Sequence, residues 1–280
     1  MNVLIVKSRR LAEIIRKYDS LAVAFSGGVD STFLLAFASK VFQSENIDAR
    51  LLAVTAASLI HPEKDGQAAA RFAKENAICH QVIHTDEMMS SEFLKNSRRR
   101  CYVCKKIIFA RIWEAAEKSG ICAVAHGVNA DDTKDFRPGL KAAREMDISA
   151  PLAEAGLTKN EIRMLAREMG LAVWDKPASG CLATRIPYDQ SITSSKLRQI
   201  AAAEKVLADL GVQSCRVRHY GETAKIEVPD QDMEKIIQST VRTHIVEKFR
   251  KIGFLYISMD LEGFVSGRLN RSVSVQHSGK

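Results

Sequence analysis

Aromatic residues are scarce in this chain, 6% of 280 residues with only two tryptophans, so its core must be mostly aliphatic. Long apolar runs are lacking as well. Each is short and broken by charge, which excludes a membrane-spanning helix. The opening residues, MNVLIVKSRR, put the apolar stretch before the basic one. That is the reverse of a secretory signal, and a cytoplasmic address is expected. There is no internal repeat and no low-complexity tract. Acidic residues are outnumbered, 33 against 41 Lys and Arg, for a net charge of +8. Such a balance suits RNA, a phosphorylated substrate or an acidic small molecule without choosing among them, and a merely lysine-rich surface would look the same.

The chain is long enough for one large domain or two ordinary ones, with a real core. Val3 to about Tyr18 reads as an amphipathic helix. LAVAF (21–25) is a wholly apolar run, as expected of a central parallel strand. STFLLAFASKVF has helical spacing, ARLLAVTAA reads as a strand and KDGQAAARFAKEN as a helix. AICHQVIHT is a third strand, KKIIFARIWEAAEKSG a helix closed by Gly120, and ICAVAHG a fourth strand. Strands alternating with helices imply an α/β fold, an open parallel sheet with helices on both faces. LTKNEIRMLAREMGL is a further helix with a capping box, Thr158 and Glu161. WDKPASGCLATRIPYD reads as a loop leading to a second domain. From there a long helix (194–210), a strand pair in CRVRHYGETAKIEVP, another long helix (231–251) and the strand GFLYISMDL make a smaller α+β unit. The expected division is 1–186, 187–272 and a frayed tail at 273–280.

SGGVDS follows the first strand at once and opens a helix. It looks like a phosphate loop without the Walker lysine. Gly27 and Gly28 let backbone amides approach an anion beside a helix N-terminus, and Ser26 and Ser31 add hydroxyl donors. Asp30 would repel phosphate unless a cation lay between them, so it is read as a Mg²⁺ ligand. The unit resembles the pyrophosphate loop of the PP-loop ATP pyrophosphatases, an adenine nucleotide alpha hydrolase-like fold. Those enzymes split ATP to AMP and pyrophosphate. Asn129, Asp131 and Asp132 lie just beyond the fourth strand, where an α/β ligand pocket is expected, and Asn129 is assigned to ATP. Glu154 is read as a second Mg²⁺ ligand or as a cap, and His126 as structural.

Six cysteines in such a chain do not suggest a disulfide framework. Cys79, Cys122 and Cys215 are read as buried small hydrophobes. Cys101 and Cys104 form one C-x-x-C among basic residues, which favour thiolates. There is no second C-x-x-C to complete a zinc site. Cys181 lies in the PASGCLATR loop. Three readings stand side by side: a 4Fe–4S cluster on Cys101, Cys104 and Cys181; a redox or zinc pair with Cys181 acting alone as nucleophile or sulfur source; and a pair that is structural only. Arg216 and Arg218 alternate on a strand and so face one side, as guanidinium forks suited to phosphate or carboxylate, or as surface arginines on an edge strand.

SGGVDSTFLL, RCYVCK, HGVNADDTKDFRPG, PLAEAGLTKNEIR, WDKPASGCLATRIPY, RVRHYGETAKIEV and the closing DLEGFVSGRLN together resemble the LarE family over nearly the whole chain. These are the ATP-dependent sulfur transferases that build the nickel-pincer cofactor of lactate racemase. The resemblance implies that ATP adenylylates the carboxylates of a pyridinium biscarboxylic acid mononucleotide, and that sulfur displaces AMP to give thiocarboxylates. In one branch the sulfur comes from a loop cysteine that is left as dehydroalanine. In the other, three cysteines hold a 4Fe–4S cluster. Cys181 matches the loop cysteine, and Cys101 with Cys104 points to the cluster branch. Arg216, Arg218 and Glu227 match the family's substrate site, and Arg185 stands beside the cysteine loop, where it could neutralise an acyl-adenylate. A homo-oligomer is implied, as is a source of sulfide, which could be a partner protein. Rival readings are a tRNA thiolase, which RRR at 98–100 would suit, an NAD synthetase-like amide-forming ligase, and a nucleotide-binding module without turnover. The chain lacks an added RNA-binding module and zinc-knuckle pairs, so a nucleic-acid substrate is not the expectation.

Overall fold

The computed structural model describes residues 2–134, 138–177, 179–212 and 214–265. The expected tail at 273–280 lies outside them. The chain falls into two compact units, one formed by Met1–Phe93 with Arg98–Ser179, the other by Leu94–Ser97 with Gly180–Lys280.

The first unit is built on four strands, β1 (Ser20–Ala24), β2 (Arg50–Ala57), β3 (Cys79–His84) and β4 (Val124–His126), in the order β3-β2-β1-β4. All pairings are parallel, with Ala22 facing Leu52 on one side and Val124 on the other. Leu21, Ala22 and Val23 are fully buried, as a central parallel strand requires. Flanking helices are α1 (Asn2–Ile15), α2 (Val29–Ser44), α3 (Glu63–Glu75), α4 (Arg100–Lys118), α5 (Pro138–Glu145) and α6 (Lys159–Glu168). Phe33, Leu34 and Leu35 of α2 join β1, Leu11 and Ile15 of α1, and Ile162 of α6 in one aliphatic core. The capping box is present: Glu161 N donates to Thr158 Oγ1, and Thr158 N donates back to Glu161 Oε2 at 2.8 Å. Gly120 follows the C-cap of α4 at φ 64°, as the sequence suggests.

In the second unit, α7 (Ser194–Asp209) precedes a sheet of β5 (Arg216–Tyr220), β6 (Thr223–Glu227) and β7 (Tyr256–Met259). β5 and β6 are antiparallel, and β7 lies parallel to β6. Helices α8 (Asp230–Ile237) and α9 (Ser239–Ile252) complete it. Leu207, Val217, Ile226, Phe249 and Phe254 form its own core.

Three local expectations are corrected. The long helix expected over 231–251 is two helices, because Gln238 takes an extended conformation (ψ 136°) between them. The helix expected after the C-x-x-C starts at Arg100, so Cys101 stands on its first turn and Cys104 opens the second. Cys79 and Cys122 are exposed rather than buried. β3 is the sheet's edge strand, and Cys79 opens it, while Cys122 precedes β4 at the opposite edge. An apolar run in sequence does not bury a position that the strand order leaves at a border. Cys215 is buried, as expected.

Candidate functional site

The first unit's site stands at the carboxyl end of β1, where ligands bind in open α/β sheets. Gly27 adopts φ +69°, and a Cβ there would lie 3.1 Å from the Asp65 carbonyl oxygen, so only glycine lets the loop pass the start of α3. Gly28 is the N-cap of α2, with no side chain bonded to the helix's first amides. Backbone amides at such a helix start are the kind of donor that can meet an anion. Ser31 Oγ donates to Gly28 O at 3.2 Å and accepts from Ser26 N at 3.3 Å, which holds the loop to the first turn. Ser26 Oγ lies 3.2 Å from Ser31 Oγ.

Asp30 is ion-paired with Lys159 of α6, and Asn129 Nδ2 donates to its Oδ1 at 3.4 Å. Asn129 is buried, and its Oδ1 accepts from the amides of Asp131 and Asp132 at 3.0 and 3.1 Å. Asp131 Oδ2 in turn accepts from Lys159 N at 2.8 Å. The segment after β4 reaches this position because Gly127 has no side chain. A Cβ there would stand 2.7 Å from Ser31 N. Lys176 Nζ donates to Gly27 O and to Asp65 Oδ1, both at 3.0 Å. The phosphate loop has no lysine of its own, and two lysines from distant segments stand against it.

Glu154 is exposed and accepts from Ala150 N at 3.4 Å, in the manner of a cap. His126 is buried edge-on to Phe109 at 5.6 Å, and burial pushes its imidazole down to about 3, so the ring is neutral.

In the second unit, Cys181 is partly buried and immediately precedes a 3₁₀ turn, Leu182–Arg185. Arg185 is 1% exposed. Its Nη1 donates to Gly180 O at 2.7 Å, Cys181 O at 3.0 Å and Thr184 Oγ1 at 2.9 Å. Its Nε and Nη2 form a fork on Glu204 of α7 at 2.8 and 3.1 Å. The guanidinium thus folds the cysteine turn about itself. Glu204 Oε1 also accepts from Val217 N at 3.1 Å, tying that turn's anchor to β5.

Arg218 makes a second fork, on Glu227, at 3.0 and 2.7 Å, and donates to Thr184 O at 2.7 Å. Arg216 points its guanidinium over the Phe264 ring, 4.9 Å from the centroid. Burial pushes Arg216 down to about 10, with the Arg185 and Arg218 charges adding to the fall and Glu204 opposing it. Three guanidiniums thus share one electrostatic neighbourhood beside the cysteine turn.

Cys101 and Cys104 stand one turn apart at the start of α4, Cys104 buried and Cys101 partly so. All six cysteines are free thiols. Among the described residues no group of three or more His, Cys, Asp or Glu side chains is placed to hold a metal ion. Of the basic run, Arg100 is buried, Arg98 is half-buried, and Arg99 is exposed with its guanidinium over the Tyr102 ring at 5.4 Å. Ser26, Gly27, Gly28, Asp30 and Ser31 of the loop and Arg216 and Arg218 of β5 are legible in the sequence, whereas Asp65, Lys159, Lys176 and Glu204 are not. Only their place inside LTKNEIR and WDKPASG could have pointed to the two lysines, and nothing pointed to the two acids.

No family model matches the chain. It is 33% identical over 98% of its length, and 97% of the relative's, to the pyridinium-3,5-bisthiocarboxylic acid mononucleotide synthase of Lactiplantibacillus plantarum. It is 37% identical over 95% of its length, and 97% of the relative's, to an uncharacterized protein of Synechocystis. An uncharacterized protein of Methanocaldococcus jannaschii is 31% identical over 88% of this chain and 91% of its own. With an SGGVDS loop on a parallel sheet, a cysteine turn gripped by arginine, and this likeness over almost the full length, the chain belongs to the LarE family of ATP-dependent PP-loop sulfurtransferases.

Proposed function

We propose that this chain converts the two carboxylates of a pyridinium-3,5-biscarboxylic acid mononucleotide to thiocarboxylates, as a step in building a nickel-pincer cofactor. The observation that carries the reading is the Arg216 guanidinium beside the cysteine turn, next to two arginines held in forks by Glu204 and Glu227, an arrangement that suits an anionic group of a phosphate- and carboxylate-bearing substrate. Arg216 takes an anionic group of the substrate. Arg218, fixed by Glu227, orients it. Arg185 holds Cys181 in place, and its buried charge favours the acyl-adenylate. At the phosphate loop, Ser26, Gly27, Gly28 and Ser31 receive the β,γ-phosphates, and Asn129 supports Asp30. Asp30 would hold Mg²⁺, since one carboxylate plus phosphate oxygens is an ordinary magnesium set.

A substrate carboxylate oxygen attacks the α-phosphorus of ATP, the bond to the bridging oxygen breaks, and pyrophosphate leaves. A sulfur nucleophile then attacks the acyl carbon, and AMP leaves with the electron pair. Cys101, Cys104 and Cys181 are the donor type that a 4Fe–4S cluster takes, and such a cluster would supply labile sulfide when bound, although among the described residues no three such side chains stand together. The second unit provides the substrate contacts and the surface of a homo-oligomer. Among the described residues no helix is long and apolar enough to cross a membrane, and the enzyme is expected to act in the cytoplasm.

The test is pyrophosphate release from Mg-ATP with two acceptors, the biscarboxylated mononucleotide and bulk unmodified tRNA. Release with the mononucleotide alone supports the reading, and release with tRNA alone replaces it with a tRNA thiolase. Anaerobic reconstitution should give a brown protein with iron and acid-labile sulfide. Dehydroalanine at Cys181 after turnover of a colourless protein would exclude the cluster version.

A further inference from the structure

Asp65 sits in the first turn of α3 and touches two things at once. Its Oδ1 accepts from Lys176 Nζ at 3.0 Å, and its Oδ2 accepts from Ser179 Oγ at 2.7 Å. The same Lys176 Nζ donates to Gly27 O, inside the phosphate loop. Asp65 cannot drift from the loop, because its backbone carbonyl packs where Gly27 would carry a Cβ. Ser179 lies two residues before Cys181. One carboxylate therefore joins the phosphate loop, through a lysine, to the start of the segment that carries the sulfur-site cysteine.

We propose that Asp65, Lys176 and Ser179 form a clasp that makes the Cys181 segment respond to occupancy of the phosphate loop, with Asp65 as its positioning residue. This rests on the reading of SGGVDS as the pyrophosphate loop. With the loop empty, Lys176 is shared between the Gly27 carbonyl and the Asp65 carboxylate. The Lys176 and Asp65 side chains are 27% and 14% exposed, so the ammonium can leave without uncovering a fully buried charge. A pyrophosphate carries several negative charges against the single charge of Asp65. At equal distance it outbids that carboxylate for the ammonium. Drawing Lys176 away removes one of the segment's two holds on Asp65 and leaves the Ser179 hydroxyl as the other. The residues just before Cys181 are then loosened once the β,γ-phosphates occupy the loop, while Arg185 keeps the turn itself folded. Lysine suits this task, since a compact ammonium on a flexible stem moves between acceptors more readily than a guanidinium fork.

The test labels the full-length protein, with its thiols free, with a maleimide, and follows each cysteine by peptide mass spectrometry with and without magnesium pyrophosphate. Exposed Cys79 and Cys122 are internal references. In the wild type, pyrophosphate should raise Cys181 labelling relative to both references by about threefold or more, as expected of a modest population shift. In Asp65→Asn, Cys181 should label at the raised rate without ligand and gain nothing further, while calorimetry should show magnesium pyrophosphate bound as well as by the wild type or more tightly, because no carboxylate charge competes for Lys176. Ser179→Ala, an exposed hydroxyl, repeats the test if Asp65→Asn fails to fold. The proposal is overturned if pyrophosphate leaves Cys181 unchanged or slows it in the wild type, if the variants respond as the wild type does, or if magnesium pyrophosphate does not bind. No acceptor is present, so a wrong mononucleotide assignment leaves this outcome untouched.

Discussion

At the first unit's site two acids are each held by a lysine, Asp30 by Lys159 and Asp65 by Lys176. At the second unit's site arginines are held by acids. Asp30 and Lys159 keep 20% and 29% of their side chains exposed, whereas Arg218 and Glu227 keep 9% and 1%. The difference separates two tasks. A lysine–aspartate pair at a partly wet loop is suited to be a reversible neutraliser: on the proposed reading it would hold Asp30 until a metal ion and phosphate took over both partners. A buried arginine fork on glutamate is a fixed frame. Its geometry is set by two parallel bonds, and its energy is mostly the penalty of separating it.

The comparison breaks first on stability. Glu227→Ala leaves the Arg218 charge buried and uncompensated, and unfolding free energy should fall by about 3–5 kcal/mol. Asp30→Ala removes one partner of a part-exposed pair and should shift it by no more than about 1 kcal/mol. Its effect lies in activity: Mg²⁺-dependent pyrophosphate release should drop by about 100-fold, the scale on which a lost metal contact is felt. Urea denaturation and a pyrophosphate assay on both variants check this. Equal destabilisation by the two would erase the distinction between neutraliser and frame.

What could be read from sequence divides along the same line. The phosphate loop was legible because strand, turn and helix lie within one short stretch, and Ser31 closes the loop on Gly28 three residues away. The Thr158–Glu161 box was legible for the same reason. Arg216 and Arg218 were legible from strand alternation. The neutralising lysines were not: Lys176 meets Asp65 across 111 positions, and Lys159 meets Asp30 across 129. Nor was the exposure of Cys79, which depends on β3 lying at the sheet's edge. The break at Gln238 carries no Gly or Pro to announce it. Arg185 read as a guanidinium beside the cysteine, but its embrace of the turn needed the Glu204 fork, 19 positions away.

Acid gives a smaller effect that sharpens the picture of the first unit's core. Burial holds His126 neutral, with its folded value near 3 against an ordinary 6.5. The unfolded chain therefore takes up the proton first. Stability is whole above pH 6.5 and is lost as pH falls towards 3, with about 2 kcal/mol gone by pH 5. His219 in the second unit is pushed down by the same cause. Urea titrations at pH 7 and pH 5 should show the loss in the wild type and a flatter response in His126→Gln. An unchanged slope would move the acid limb elsewhere.

The smallest expected effect tests how the neutralising lysine is placed. Lys159 is the first residue of α6, directly after the Thr158 cap, so its position could be set by the cap or by its own contacts. Thr158→Ala removes the hydroxyl that accepts from Glu161 N and should lower stability by about 1 kcal/mol. Glu161 keeps its 2.7 Å pair with Lys7, and Lys159 N keeps its bond to Asp131. The KM for ATP should therefore rise by less than about threefold, since the lost cap does not touch the contacts that fix the lysine's backbone. A rise of tenfold or more would mean that the cap aims Lys159. The lysine side of the comparison would then be as rigidly framed as the arginine side.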